Sequence, residues 1–315
     1  MPLLQTSKSA AKWLLRTAVS WLPRGASAAV LDQASQNLGP WAALVRIAPR
    51  CAIESVSIQG AYGLIDGSPG DSTVLGGYAS AGSWARRTNE LLCAFFDQSG
   101  GLYLDVGANI GLTTIPVARN PKVTCLALEP NPSVHRFLAA NVRRNCPHGN
   151  VTTRQVAAFS RRDVLELEVA PDNQGDNRLR LSDRAGLHGE ERWRSVKVEA
   201  LPLDELAPDV AGPTAVKIDV QGAEPFVFEG GARALDRAGL LICEWSPYLM
   251  ARLGGRADRV TAYLARSFGE VTIAFGEVGP LPRPEPVAIA VERLLAMAHD
   301  ARDDSSVYAD IIARR

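Results

Sequence analysis

Leu102-Tyr103-Leu104-Asp105-Val106-Gly107-Ala108-Asn109-Ile110-Gly111, followed one strand later by Leu126-Ala127-Leu128-Glu129-Pro130-Asn131-Pro132, reads as strand, glycine loop, helix and a second strand ending in a carboxylate. That layout holds an adenosine-containing cofactor at the carboxyl edge of a parallel sheet. Outward from it, strand and helix patterns alternate. Residues 102–106, 123–128, 151–157, 215–218 and 240–244 are mostly apolar runs, as parallel strands covered on both faces require. The expected fold is α/β with a doubly wound sheet. Asn131 can cap the helix after Glu129, Pro132 suits its first turn, and Val134, Phe137, Leu138 and Val142 recur on one face. Pro116 moves the start of the preceding helix toward Thr113, where no amide is missed.

Between residues 159 and 198 the alternation breaks. Val164-Leu165-Glu166-Leu167-Glu168-Val169 has period two and Ser195-Val196-Lys197-Val198 can pair with it, which predicts a small antiparallel insertion around a polar stretch from Asp172 to Arg178. Residues 1–50 are Ala-rich and helical in pattern, with a break at Gly39-Pro40, and form an expected N-terminal extension. Residues 51–100 hold short β-like runs, Ser55-Val56-Ser57-Ile58 and Ser72-Thr73-Val74-Leu75, and a helix over about 83–96 that leads into a main domain at 101–315. After Glu244 the pattern predicts a helix near 256–267, a strand near 271–274, a Pro-rich turn, a helix at 287–299 and a last strand at 306–311.

With 34 basic and 34 acidic residues the net charge is zero, so no nucleic-acid partner is expected. Five cysteines, Cys51, Cys93, Cys125, Cys146 and Cys243, lack paired spacing, and a cytoplasmic setting fits them best. Residues 1–31 contain Lys8, Lys12, Arg16 and Arg24 and no acid. Two readings stand for this segment: a helix packed on the main domain, or a basic amphipathic helix making peripheral contact with an anionic membrane.

The flanks of the glycine loop decide the cofactor. A dinucleotide needs Gly-x-Gly-x-x-Gly, with the middle glycine against the pyrophosphate and no carboxylate crowding it. Here Asn109 takes the middle place and Asp105 ends the strand. Both suit S-adenosylmethionine (SAM), which has no phosphate and carries a sulfonium and an ammonium. Glu129 can accept hydrogen bonds from both ribose hydroxyls.

Asp105-Val-Gly-Ala-Asn-Ile-Gly111, Glu129-Pro-Asn-Pro132 with Asn141-Val142, Asn173-x-Gly175-Asp176-x-Arg178, Leu203-Asp-Glu-Leu206 and Lys217-Ile-Asp-Val-Gln-Gly-Ala-Glu224 together resemble the FkbM-type methyltransferases in order and spacing. The resemblance, from about Gly82 to Glu244, implies a Rossmann-like class I methyltransferase fold, SAM as cofactor, and usually O-methylation of a sugar or polyketide hydroxyl. It implies that Asp105, Gly107, Ala108, Asn109 and Gly111 shape the methionine side of the pocket, that Glu129 holds the ribose, and that Ala157 or Ala158 lies near the adenine. Many members have Glu where this chain has Gln221, so the substitution removes a charge.

Methyl transfer from a sulfonium needs alignment and, for a hydroxyl, removal of its proton. Asp219 and Glu244 end the fourth and fifth strands and Glu224 follows in the next turn, which makes them the candidate catalytic residues. Asn173, Asp176, Arg178 and His188 in the insertion are candidates for closing over the acceptor. Trp245 can stack on a sugar face, or pack on a helix. Asp219, Gln221 and Glu244 could offer oxygen ligands to a hard cation that lowers the acceptor's pKa, but no dense acidic or Cys/His cluster supports a metal, and none is expected. The expected function is SAM-dependent O-methylation of a hydroxyl on a sugar, glycan or secondary metabolite. The rival readings are an NAD-dependent enzyme on the same architecture and a SAM-binding scaffold without turnover.

Overall fold

The computed structural model describes residues 53–182, 185–276 and 279–315, so the extension expected over 1–50 lies outside the described residues. Contacts divide the chain into two compact units: among the described residues, 53–84 with Pro171–Gly175, and Ala85–Ala170 with Asp176–Arg315. Among the described residues no helix is long and apolar enough to cross a membrane.

The first unit holds an antiparallel hairpin, β1 (Val56–Gly60) and β2 (Gly63–Gly67), with Ile58 opposite Ile65, and helix α1 (Val74–Ala81). The buried Tyr78 of α1 donates its hydroxyl to Gly63 O at 3.0 Å and accepts the Tyr62 amide at 3.0 Å. The strand expected at 72–75 is a helix start instead. Asp71 accepts the amides of Val74 and Leu75 at 3.0 and 3.1 Å, and satisfying those otherwise unpaired donors outweighs the β propensity of Thr73-Val74.

The second unit runs α2 (Arg86–Phe95), β3 (Gly101–Val106), α3 (Thr114–Ala118), β4 (Val123–Leu128), α4 (Pro132–Asn145), β5 (Val151–Arg154), β6 (Ala157–Phe159), β7 (Asp163–Val169), β8 (Arg178–Arg180) and β9 (Arg194–Pro202). It continues with α5 (Leu203–Leu206), β10 (Thr214–Ile218), α6 (Glu224–Gly230), α7 (Ala232–Asp236), β11 (Ala238–Trp245), α8 (Pro247–Arg252), α9 (Ala257–Ser267), β12 (Glu270–Ala274), β13 (Glu285–Pro286), α10 (Val287–Asp300) and β14 (Ala309–Arg314). The large sheet has the order β13-β12-β14-β11-β10-β3-β4-β5. From β11 to β5 neighbouring strands are parallel, while β14 lies antiparallel between β11 and β12. Every residue of β3 and β10 is buried, the mark of strands covered on both faces. One core joins Leu104, Leu126, Val216 and Leu241 of these strands to Leu264 of α9 and Leu294 of α10.

Local signals act as read. Asn131 Oδ1 accepts the Ser133 amide at 3.0 Å, and Thr113 stands at the N-cap position of α3, without a capping bond from its side chain, so that Pro116 falls where the helix offers no partner for an amide. Two strands differ from expectation. The run at 151–157 is split: β5 pairs with β4 as far as Arg154, and β6 leaves to pair with β9, Ala157 opposite Ala200. As an edge strand β5 is covered on one face only and alternates in burial. The last strand begins at Ala309 rather than near 306, in register with β11 from Ala309 opposite Trp245. The insertion forms a four-stranded sheet, β6-β9-β7-β8, in which the expected β7 and β9 pairing sets Leu165 opposite Val198.

Candidate active site

Parallel strands deliver their carboxyl ends to one edge, and the site is built where β3, β4, β10 and β11 end. β3 leaves the sheet through Gly107 at φ 82° and Asn109 at φ 51°, both left-handed. The amides of Gly107 and Ala108 donate to Leu128 O at 3.0 and 2.9 Å, and the Gly111 amide to Ala108 O at 2.9 Å. The carboxylate of Glu129, just past β4, accepts the Asn109 amide at 3.1 Å and the Asn131 amide at 2.8 Å. Burial pushes its carboxyl up to about 7, against the pull of those two amides.

Beneath the loop lies an ion pair whose cation carries no role in the sequence reading. Asp105 and Lys217 stand opposite one another on β3 and β10. Asp105 is fully buried, and its Oδ2 accepts the hydroxyls of Thr113 at 2.8 Å and Thr114 at 2.6 Å. Lys217 Nζ lies 3.7 Å from Asp105 Oδ1 and 3.3 Å from Asp219 Oδ2, and donates to Gly107 O at 2.8 Å. One ammonium therefore ties the glycine loop to the end of β10. Burial alone would weaken its hold on a proton, but the carboxylates of Asp219, Asp105 and Glu244 outweigh that and raise it above the ordinary ammonium range. A lysine inside the apolar run at 215–218 was the available signal.

The structure brings the three candidate catalytic carboxyls together. Asp219 is 40% exposed at the mouth. Gln221, at φ 54°, turns back so that its Nε2 donates to Asp219 Oδ1 at 2.9 Å and to Glu244 Oε2 at 2.9 Å. Glu224 is buried, with Oε1 accepting the Val220 amide at 3.0 Å and Oε2 unpartnered. Burial and the negative charge of Asp219 raise Glu224. Burial, with Asp219, Glu224 and Asp310 around it, raises Glu244 well above the carboxylate range.

The expected acceptor residues are not gathered in this way. Trp245, the last residue of β11, is fully buried within the main core, where no sugar can stack on it. Arg178 is buried too, and its guanidinium is spent on the Asp176 carboxylate, on Glu190 at 3.2 Å and on the face of Trp193. His188 is exposed, with Nε2 3.0 Å from Ser305 Oγ. Asn173 belongs to the first unit, where its Oδ1 accepts the Gly175 amide at 3.0 Å. Ala157 is buried in the core of the small sheet.

Residues 105–271 match the family model described as the methyltransferase FkbM domain, more than half of the 315 residues. The chain belongs to the FkbM methyltransferase family, whose cofactor is SAM. No curated protein sequence matches it. It is similar to the crystal structure of methyltransferase FkbM from Methylobacillus flagellatus KT at 16% identity and a TM-score of 0.40, over 65% of this chain and 50% of that one. The chain thus spans about half the length of that relative. Precorrin-6y C5,15-methyltransferase from Geobacter metallireducens GS-15 is similar at 13% identity and a TM-score of 0.36, over 72% of this chain and 86% of that one. TYW2 from M. jannaschii in complex with AdoMet is similar at 12% identity and a TM-score of 0.36, over 83% of this chain and 87% of that one.

Proposed function

We propose that the protein transfers the methyl group of SAM to a hydroxyl of a sugar, glycan or related secondary metabolite. The observation that carries this reading is an open carboxylate, Asp219, beside the glycine loop and backed by Glu244 and Glu224. The residues present fit SAM: a loop with no side chain at Gly107, a buried carboxylate at Glu129 facing the edge, and excess negative charge where a sulfonium and an ammonium need it. When bound, SAM supplies an electrophilic methyl group on a leaving group that is already good. Glu129 would receive the ribose hydroxyls, and the loop from Gly107 to Gly111 would hold the methionine end. Asp219 would take the proton from the acceptor hydroxyl, while Lys217 and Gln221 keep its carboxylate aimed. Incubation with labelled SAM and a glycan or metabolite extract tests the reading; label must appear in an ether-linked methyl group. Asp219→Asn is expected to lower kcat by about a hundredfold or more with SAM affinity little changed. Unchanged turnover would remove Asp219 from the chemistry.

Glu129 gives this reading a pH dependence. In the free protein the group binds a proton more tightly folded than unfolded, so stability is lost as pH rises from 4.5 to about 7. Ribose binding has the opposite sign, because only the ionised carboxylate offers all its lone pairs to two hydroxyls. SAM affinity is expected to rise with pH through about 7. Glu129→Gln is expected to flatten that rise and weaken binding about tenfold to a hundredfold, the worth of a charged hydrogen bond. Calorimetric titration with SAM across pH checks both; a parallel pH profile in the variant would assign the ribose elsewhere.

A further inference from the structure

Two carboxylates that share one contact point need something positive between them: a proton, a cation or an N–H donor. At the ends of β10 and β11 that place is held by a neutral side chain. Gln221 Nε2 spends its two hydrogens on Asp219 Oδ1 and Glu244 Oε2, each at 2.9 Å. Turned over, the amide would bring its oxygen against Asp219 and lose the donor that Asp219 Oδ1 accepts here. Its placement is imposed by the chain: Gln221 adopts φ 54°, a conformation that costs a non-glycine residue on the order of 1 kcal/mol. Gly222 follows at φ 97°, and a Cβ there would meet Leu249 C at 2.6 Å. The turn is thus fixed by close packing on α8.

The surrounding charge does not replace the amide. Lys217 reaches Asp219 and Asp105, and Arg87 lies 3.8 Å from Asp310, but no cation has a direct contact with Glu244 among the described residues. Nor does any group of three His, Cys, Asp or Glu side chains converge to hold a metal ion among the described residues. Asp219 and Glu244 are instead joined through the one nitrogen of Gln221.

The geometry points to Gln221 as a positioning residue that takes the place of a bound divalent cation, holding Asp219 and Glu244 together at the acceptor edge so that the site works without a metal. The inference concerns the site proposed above for methyl transfer, and its test reads metal binding directly. Mn2+ binding is measured by electron paramagnetic resonance of the free ion for the full chain and for Gln221→Glu. The change removes both donors and adds a third carboxylate, and is expected to tighten Mn2+ binding at least about tenfold, with the gain lost when Glu244→Gln is added. In labelled-SAM turnover, Gln221→Glu is expected to lose kcat and to regain it with Mn2+, whereas the unaltered protein is indifferent to Mn2+ and to EDTA. The proposal is overturned if Gln221→Glu binds Mn2+ no more tightly than the parent. It is also overturned if Mn2+ raises the melting temperature of the unaltered protein and Glu244→Gln abolishes the rise, a measurement that needs no folded Gln221→Glu. Absence of turnover with every acceptor would sink the O-methyltransferase reading and leave the Mn2+ results to decide this one.

Discussion

Gly107→Ala is expected to yield a chain that no longer binds SAM and unfolds well below the parent. Its Cβ would lie 1.8 Å from Asp219 O and 2.9 Å from Asp219 C, and both obstacles are backbone, so no side chain can swing aside. Moving Gly107 away would disturb its own bond to Leu128 O, the Asp219 amide's bond to Val106 O at 3.0 Å and the Lys217 bond to Gly107 O at 2.8 Å. The φ of 82° adds a penalty of about 1–2 kcal/mol for any L side chain, and overpacking adds about 1–3 kcal/mol. Gly149→Ala and Gly254→Ala are the controls: they share positive φ, at 68° and 71°, but a Cβ there has nothing within 4 Å. They are expected to lose only the conformational part and to keep full SAM affinity. Thermal unfolding and SAM titration on the three variants separate the cases; parent-like binding by Gly107→Ala would detach this loop from the cofactor.

The glycine loop was readable because its determinants are local: a strand buried on both faces, a turn that needs positive φ, and an acid at the next strand's end. Burial on both faces also made β3, β4 and β10 legible, while β5 was overread because an edge strand's composition does not reveal which neighbour it lacks. Asp219, Glu224 and Glu244 could be placed at the edge from chain order alone. What joins them could not, since the bridge through Gln221 depends on a left-handed turn and on two strands meeting. Asp105 shows the same limit. The sequence set it toward the cofactor, whereas the fold buries it under Thr113 and Thr114 and answers its charge with Lys217, a residue more than a hundred positions away. Arg178 and Trp245 were polar or aromatic residues near a site in sequence whose side chains the fold spends on its own interior.

That interior contains the second large effect. Glu168 of β7 is fully buried and accepts both terminal nitrogens of Arg252 on α8, at 2.8 and 2.9 Å, as well as Arg180 Nε at 3.0 Å. Close by, Tyr248 of the same helix donates to Glu190 at 2.8 Å, and Arg178 reaches that carboxylate too. The small sheet is thereby fastened to the helix that follows Glu244. Removing one partner of a buried bidentate pair leaves the other charge desolvated and unmatched, so Glu168→Met is expected to cost about 3–5 kcal/mol. Arg252→Met should cost less, because Arg180, only 26% exposed, still answers Glu168. The double variant, apolar on both sides, is expected to recover most of the stability lost by Glu168→Met, since a well-packed apolar pair of similar volume replaces buried ions at little net cost. Denaturant unfolding of the two single variants and the double closes the cycle. Additive losses would mean that the two charges are stabilised separately by their surroundings, and that the small sheet is held to α8 by the apolar cluster that Leu253, the residue just after α8, shares with Leu167 and Val198.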